Sequence, residues 1–452
     1  MSQSRFAAII LAAGEGKRMK SAIPKVLHPV ASEPMIAHLL SALRPLAPTA
    51  TVVVISRQMN SVARAVKPAE TAVQDPPLGT GDAVRTALRR LAGRLAPDGE
   101  IEDILVLFGD TPLLTTETMS RLLTERKHGG AAILVSGMRP ADPGPYGRLV
   151  LKSNGELERI VEAADAGAEE RMIGLVNGGI MAIDARCASA LVDALDRDNA
   201  KGEFYLSDIV RIGCCKGLSC RAIELPVEEL IGINTRAELA HAEALMQSRL
   251  RRAAMAGGAT LVAPETVFLS ADTQLARDVV VEPNVTFGPG VAVEEGARIL
   301  SFSYLQGARI GPGAIIGPFA RLRPGAVLEK DVHIGNFVEV KAAHLGAGVK
   351  ANHLSYLGDA EIGARTNIGA GTITCNYDGF NKFRTTIGEG AFIGSHTAFV
   401  APVTVGDGAY VATGTVVVSD IPAEALTIGR APQVDKPDRA PVLRERLRNN
   451  KR

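Results

Sequence analysis

An α/β domain followed by a parallel β-helix is the fold class this sequence predicts, and three observations carry it. In the first half, short apolar runs alternate with helical patterns. From Val281 onward an aliphatic residue returns at every sixth position over a long distance. Between the two lies one uninterrupted helical stretch, Ala237 to Ala256, closed by Gly257 and Gly258. A chain of 452 residues is too long for one ordinary domain. We expect one domain over 1–234, a linker helix over 235–256, and a solenoid with a C-terminal tail over 257–452.

The strands expected in the first half are Ala7–Ala13, Ala50–Ile55, Ile104–Phe108, Ala131–Gly137 and Gly179–Ile183, with helices such as Pro34–Leu43 and Gly81–Leu95 between them. Strands alternating with helices argue for a Rossmann-like, mostly parallel sheet covered on both faces. Ligands of such sheets bind beyond the carboxyl ends of the strands.

In the second half the period runs through Val281, Phe287, Val293, Ile299 and Leu305. After a slip of one it continues at Ile310, Ile316, Leu322, Leu328, Ile334 and Val340. Small or β-branched residues recur four places on, as at Val285, Ala297 and Ala314. Each short strand turns one apolar residue inward, and the Gly that often follows takes the corner. The period alone leaves the hand open, but the hexapeptide pattern resembles the left-handed family of β-helices. The stretch "TCNYDGFNKFRTT", Thr374 to Thr386, breaks the rhythm and is expected as a loop on one face.

Composition narrows the partners. Hydrophobic residues make up 46% and the formal net charge is +1, so there is no broad basic field for nucleic acid. No apolar run is long enough for a membrane span, and Phe6–Ala13 leads straight into charged residues, unlike a signal peptide. A cytoplasmic protein is expected. Cys214, Cys215 and Cys220 do not have zinc-ribbon spacing and read as reduced structural thiols, with metal binding the lesser alternative; Cys187 and Cys375 are lone thiols. The basic end, "RERLRNNKR", reads as a solvated tail.

The chemistry begins in "IILAAGEGKRMKSAIPKVLHPV". Its glycines let backbone N–H groups approach an anion, and Arg18 and Lys25 add charge suited to a polyphosphate. It is not a Walker A loop, and Met19 stands where a dinucleotide fingerprint would have its third Gly.

"LAAGEGKRM…PKVLHPV" resembles the signature of sugar-1-phosphate nucleotidyltransferases. The likeness extends through "QDPPLGTGDAV", "LFGDTPLL", "YGRLV", "IVEAADA", "LVNGGIMAI", "NAKGEFYLSDIV" and "GINTRAEL". With the β-helix behind it, nearly the whole chain resembles the bacterial family that pairs uridylyl transfer to N-acetylglucosamine-1-phosphate with acetylation of glucosamine-1-phosphate. The resemblance implies that Leu11, Ala12, Ala13 and Gly14 meet UTP through backbone atoms, with Arg18 and Lys25 on its phosphates. It implies that Gln74, Gly79 and Thr80 read the uracil, and that Phe108 and Gly109 lie at the nucleotide. Gly147, Glu162 and Asn177 would hold the N-acetylglucosamine. Asp110 and Asn234 would bind Mg²⁺, Asn234 standing beside the nucleotide as well. Two departures stand out: Phe108 replaces a frequent Tyr and removes a hydroxyl, and "IVEAADA" lacks a charge often found after the Glu. Altered affinity rather than a lost reaction is expected.

For the solenoid the resemblance implies an acetyltransferase site. His353 would be the general base, since the amine must be deprotonated to attack the thioester and imidazole titrates in the right range. Arg323, Lys341, Tyr356, Asn367 and Lys382 would hold the amino-sugar phosphate. Ala370, Asn376, Tyr377, Ser395, Thr413 and Arg430 would take acetyl-CoA. Thr413 replaces a usual Ala, a change that a backbone contact would survive. The family picture is a homotrimer through the β-helix with acetyl sites between subunits, acetylation preceding uridylylation. The product, UDP-N-acetylglucosamine, feeds peptidoglycan and, in Gram-negative cells, lipopolysaccharide.

Each residue has a plainer alternative. Asp110 could cap a helix, Asn177 and Asn234 could be turn residues, Glu162 a surface charge, Gly79–Thr80 only a loop. A lone His353 could be a corner histidine, like His333, His344 and His396. Arg323, Lys341 and Lys382 could be solvated cations. The competing function is a single-activity sugar nucleotidyltransferase with a regulatory β-helix. A non-enzymatic β-helix assembly module is the third reading, and the set Gly14, Lys25, Asp110 and Asn234 argues against it.

Overall fold

A computed structural model describes residues 5–97 and 99–450. The last two residues of the basic tail lie outside them. The chain divides into two compact units, one running to Arg249 and the other starting at Leu250.

The first unit is built on one sheet. Its strands are β1 Phe6–Leu11, β2 Ala50–Ser56, β3 Glu70–Gln74, β4 Asp103–Phe108, β5 Ile133–Met138, β6 Arg148–Leu151, β7 Leu157–Val161, β8 Val176–Asp184 and β9 Cys220–Glu224. The order across the main sheet is β9-β5-β8-β4-β1-β2-β3. β1 is parallel to both β2 and β4. β8 runs antiparallel between β4 and β5. The expected strands lie within or close to β1, β2, β4, β5 and β8. Those without a continuous apolar run were not anticipated: β3 (ETAVQ), β7 (LERIV) and β9 (CRAIE) are half polar. Only strands buried on both faces read as apolar runs. β1 is such a strand, with every residue buried.

The helices are α1 Met35–Leu43, α2 Thr80–Arg90, α3 Thr116–His128, α4 Ala185–Asp193, α5 Asp208–Cys215 and α6 Arg236–Ala256. Two cores flank the sheet. Ile9, Val52 and Val106 face Ala83, Ala87 and Leu191 on one side. Ile10, Val53 and Leu107 face Ile36, Leu39 and Leu122 on the other. The sheet order reverses at β1 and β4: after β1 the chain builds outward through β2 and β3, then returns to β4. Leu11 and Phe108 are register partners at the carboxyl ends of that pair. This is the switch point at which open α/β sheets bind ligands.

The second unit consists of three parallel sheets of ten, eight and eight two- to four-residue strands. It is the left-handed β-helix of hexapeptide repeats. Each strand pairs with its equivalent one coil on, so like residues stack. Val281, Ile299, Ile316, Ile334, Ala351, Ile368, Ile393 and Val411 form one inward column. Phe287, Leu305, Leu322, Val340 and Leu357 form a second. Every one of these side chains is buried in a single continuous core. Thr374 stands in the second column where the aliphatic beat fails. Its buried hydroxyl donates to Gly358 O at 3.0 Å and accepts from Gly358 N–H at 2.8 Å, so the polar group is satisfied.

The corner between the first and second sheets bears out the expected glycine only in part. Gly371 and Gly414 take its left-handed position with φ of 75° and 77°, but Phe302, Phe319, Phe337 and Leu354 hold that position in earlier coils with φ of 62°, 55°, 56° and 50°. Their side chains are exposed, and the rings stack at 5.0 and 5.3 Å.

The cysteines are free, and burial pushes the Cys187 thiol up to about 11. Such a thiol is unreactive. The tail ends in an exposed helix, Arg439–Asn449. No helix among the described residues is long and apolar enough to cross a membrane.

Candidate active sites

A cleft of about 820 Å³ opens at the β1–β4 switch point. Leu11, Ala12, Ala13 and Gly14 line it as β1 ends, together with Arg18 and Lys25 from the following loop. Gly16 makes this loop possible. It sits at φ 65°, and a Cβ there would lie 2.7 Å from Lys25 Cβ. The opposite wall brings Gln74 from the end of β3 and Gly79 and Thr80 from the start of α2. Gln74 is buried, and its amide donates to Gly79 O at 3.0 Å and to Asp82 Oδ2 at 2.8 Å. Thr80 Oγ1 accepts from Leu206 N–H at 3.0 Å. Gly79, at φ 115°, is pressed against the Phe204 backbone, which would lie 2.6 Å from an added Cβ. These bonds make the wall a fixed template.

Phe108 lines the cleft, its ring packed on Gly179. Gly109 is not among the lining residues. It donates to Leu11 O at 2.9 Å and packs toward Val26, Ala12 and Ile36 beneath the floor. Glu162 and Asn177 line the far end. Gly147 lies behind them: its carbonyl accepts from Asn177 N–H at 2.7 Å, and a Cβ on it would stand 3.5 Å from Glu162 Oε2.

Asp110 follows β4, and Asn234 precedes α6. A capping box holds Asn234 in place. Glu238 Oε2 accepts from the N–H groups of Asn234 and Thr235 at 2.6 and 2.8 Å, and Glu238 N–H donates to Thr235 Oγ1 at 3.2 Å. Lys25 Nζ donates to Asp110 Oδ2 and, at 3.0 Å, to Asn234 Oδ1. Two side-chain oxygens from remote parts of the chain thus converge on one cation. An oxygen donor pair of this kind suits a hard divalent ion that keeps waters and takes its other ligands from substrate phosphates. No cluster of three or more His, Cys, Asp or Glu suited to a metal occurs among the described residues.

Ser207 was overlooked in the sequence. Its hydroxyl donates to Glu162 Oε1 at 2.8 Å and orients that carboxylate. The segment "NAKGEFYLSDIV" carried the signal, but only tertiary contact shows which of its residues meets Glu162.

On the β-helix, His353 sits at the first-to-second corner, directly before the exposed Leu354. Its Nδ1 is 2.9 Å from Asn336 Oδ1, one coil below. An amide oxygen can only accept, so this contact calls for a proton on Nδ1, and the neutral ring in that tautomer offers Nε2 as an acceptor. Asn336 was also missed. Its signal was faint, since Asn at a corner reads as a turn residue.

Tyr356 faces outward on the second sheet, and Asn376 Nδ2 lies 3.4 Å from its hydroxyl and donates to Asp359 Oδ2. Lys341 Nζ is 4.0 Å from the same carboxylate. Arg323 Nη1 donates to Glu339 Oε1 at 2.8 Å. The loop after Cys375 bends back through a Tyr377–Lys382 bridge. This brings the Lys382 amine beside Lys341, which pushes the Lys341 pKa down, with burial adding and Asp359 opposing. Three crowded cations of this kind suit an anion.

The other solenoid residues divide. The register Ala351↔Ile368 puts Ala370 one coil beyond His353 on the same corner. Ser395 and Thr413 continue that column, since His396 N–H donates to Ala370 O and Gly414 N–H to Ser395 O. Arg430 donates to Thr413 O. Tyr377 is exposed on the loop. Asn367 does not join the cations. It faces outward on the first sheet, between Lys350 and Phe392, one face of the prism away from Tyr356.

Comparisons agree with both halves. Residues 8–199 match the MobA-like NTP transferase domain, and residues 307–342 match the bacterial transferase hexapeptide model of six repeats. A protein of Azorhizobium caulinodans named bifunctional protein GlmU is 52% identical over 448 residues, 98% of each chain. Another of that name from Rhodospirillum rubrum is 54% identical over 446 residues, again 98% of each. A third, from Paramagnetospirillum magneticum, is 50% identical over 436 residues and 96% of each.

Proposed function

This chain belongs to the family of the bifunctional protein GlmU, and on that premise we propose how its two sites divide the work. The enzyme acetylates glucosamine-1-phosphate from acetyl-CoA. It then transfers uridylyl from UTP to the N-acetylglucosamine-1-phosphate formed, giving UDP-N-acetylglucosamine and pyrophosphate. This is precursor synthesis for the cell wall.

In the N-terminal cleft the reaction is an in-line displacement. A phosphate oxygen of the sugar phosphate forms a bond to the α-phosphorus of UTP as the bond to pyrophosphate breaks. The nucleophile is already an anion, so no base is required, and repulsion between anions is the obstacle. The backbone of Leu11–Gly14 and the charges of Arg18 and Lys25 reduce it. The Gln74–Gly79–Thr80 wall, held by its own hydrogen bonds, reads the base without reorganising. Glu162, aligned by Ser207, and Asn177 orient the sugar. Asp110 and Asn234 would hold Mg²⁺, which when bound supplies Lewis-acid neutralisation of phosphate charge.

On the β-helix, Arg323, Lys341 and Lys382 bind the phosphate of glucosamine-1-phosphate. His353 Nε2 takes the proton the amine must lose. The C–N bond forms as the C–S bond of the thioester breaks, and CoA leaves as the thiolate, which the His353 imidazolium protonates to the thiol. The column Ala370, Ser395, Thr413 leads away from His353 along the corner, a track for the long arm of acetyl-CoA. Since Asn367 faces away from the cations of its own chain, we assign it to the site of a neighbouring copy in a homotrimer. A cytoplasmic location follows from the need for UTP and acetyl-CoA.

The observation that carries the second activity is the Asn336–His353 hydrogen bond, because it orients an exposed imidazole on the corner where that track begins. The test follows thiol and pyrophosphate separately. His353→Ala is expected to lose thiol release while keeping pyrophosphate release from UTP and N-acetylglucosamine-1-phosphate. Asp110→Ala is expected to do the reverse. Wild-type protein that releases no thiol would reduce the chain to a single-activity nucleotidyltransferase.

A further inference from the structure

The point at which Asp110 Oδ2 and Asn234 Oδ1 converge is occupied by the ammonium of Lys25. The side chains of Lys25 and Asp110 are each only 13% exposed. Lys25 is therefore no surface cation attracted loosely to a carboxylate. The loop is shaped to deliver it there: Gly16 closes tightly over Lys25 Cβ, and the short turn Lys25–Leu27 fixes where its side chain starts.

A divalent ion at these two oxygens would sit about 2.0–2.1 Å from each. The Lys25 ammonium lies 3.0 Å from Asn234 Oδ1 and is bonded to Asp110 as well. Both cations cannot use the same oxygen pair, and their mutual repulsion at such a distance is large. Lys25 must leave for the ion to enter. The same cleft offers a destination, since Lys25 shares it with Gly14 and Arg18, where nucleotide phosphates would lie.

We propose that Lys25 is a displaceable place-holder: its ammonium occupies the divalent-cation position until nucleotide phosphates draw it away, so that metal and nucleotide load together. The inference rests on the assignment of Asp110 and Asn234 as metal ligands. It adds a second role for Lys25, setting the order and coupling of loading. Thermodynamic linkage makes the effect reciprocal: whatever factor by which nucleotide raises metal affinity, metal raises nucleotide affinity by the same factor.

The test is direct binding of Mn²⁺ to full-length protein without nucleotide, read from the paramagnetic resonance signal of the free ion. Lys25→Met keeps the length of the side chain and removes its charge. It is expected to bind Mn²⁺ about 10-fold more tightly than wild type, within the usual range of such couplings. Lys25→Arg, which keeps a cationic donor, is expected to bind as weakly as wild type. Arg18→Met removes the same charge from the same cleft without touching Asp110, and should change affinity less than about 3-fold. In Lys25→Met the enhancement of Mn²⁺ binding by a non-hydrolysable UTP analogue should shrink. Lys25→Gln serves as the second neutral variant should Lys25→Met lose its cooperative thermal transition. Equal tightening in Arg18→Met, or none in either neutral Lys25 variant, would overturn the proposal. Asp110→Ala separates it from its premise. Analogue-supported Mn²⁺ binding that survives this change would refute the metal assignment itself, whereas its loss alongside an unresponsive Lys25→Met refutes only the place-holder.

Discussion

Removing the Asn336 side chain tests whether the imidazole of His353 works as an oriented base. Asn336 Oδ1 lies 2.9 Å from Nδ1 and is the one side-chain partner found for that ring among the described residues. In Asn336→Ala the ring loses the acceptor that selects its tautomer and direction. A neutral hydrogen bond of this type contributes about 1 kcal/mol net, which corresponds to a roughly 5-fold loss of correctly presented Nε2. The expected result is a fall of about 5-fold in kcat for thiol release, with little change in KM for glucosamine-1-phosphate, because the three cations are untouched. Asn336→Asp probes the same contact from the other side. A carboxylate there favours the imidazolium, so the acid limb of the pH–rate profile should move to higher pH. Activity near pH 6 would then fall more than activity near pH 8.5. The assay is continuous detection of CoA thiol, with pyrophosphate release as the internal control. Full kcat in the alanine variant together with an unmoved profile in the aspartate variant would refute the assignment.

Three further outcomes are expected. Gly335→Ala places a Cβ 1.9 Å from Asn352 O, and coil backbone cannot yield cheaply. Overpacking of about 1–3 kcal/mol falls on the residue preceding His353, so acetyl transfer should drop while uridylyl transfer stays at the wild-type rate; comparable loss of both would disprove a local effect. Ser207→Ala frees the Glu162 carboxylate. A hydrogen bond to a charged group contributes about 1.5 kcal/mol, so KM for N-acetylglucosamine-1-phosphate should rise about 10-fold with kcat nearly constant, as steady-state kinetics would reveal. His344 is bonded through Nε2 to Glu329 at 3.0 Å and through Nδ1 to Glu361, and these partners raise its pKa against the effect of burial. A folded-state pKa above the unfolded value of about 6.5 stabilises the fold fully below that value, and the benefit is lost as pH rises through the folded one. His344→Gln should therefore lower Tm most near pH 6 and least near pH 9; a Tm difference independent of pH would contradict the pairing.

The solenoid was legible because its local and global requirements coincide. A period of six reports directly which side chain enters the core, and stacking repeats that demand in every coil. The Phe302–Phe319–Phe337–Leu354 corner was not legible, since an exposed aromatic in left-handed backbone runs against local preference. In the first unit, β1 and β4 were readable as apolar runs, while β3, β7 and β9, half polar, were hidden. Of the candidate sites, Lys25, Asp110 and Asn234 could be named from motifs far apart in the chain. Their meeting at one point, with Lys25 between the other two, could not.

What the sequence determined by itself was the identity and order of the parts: two architectures, a glycine-rich cationic loop, a set of polar residues out of keeping with a β-helix. These follow from periodicity and residue chemistry, which are local. What only the tertiary structure decided was adjacency. The sheet order reverses at β1 and β4, and this brings Gln74, Glu162 and Asn234 to one cleft. Coil stacking sets Asn336 under His353. The prism turns Asn367 away from the cations it was grouped with. Chain spacing carries no information about such contacts, because they depend on how separate elements pack, and packing is settled by the whole core at once.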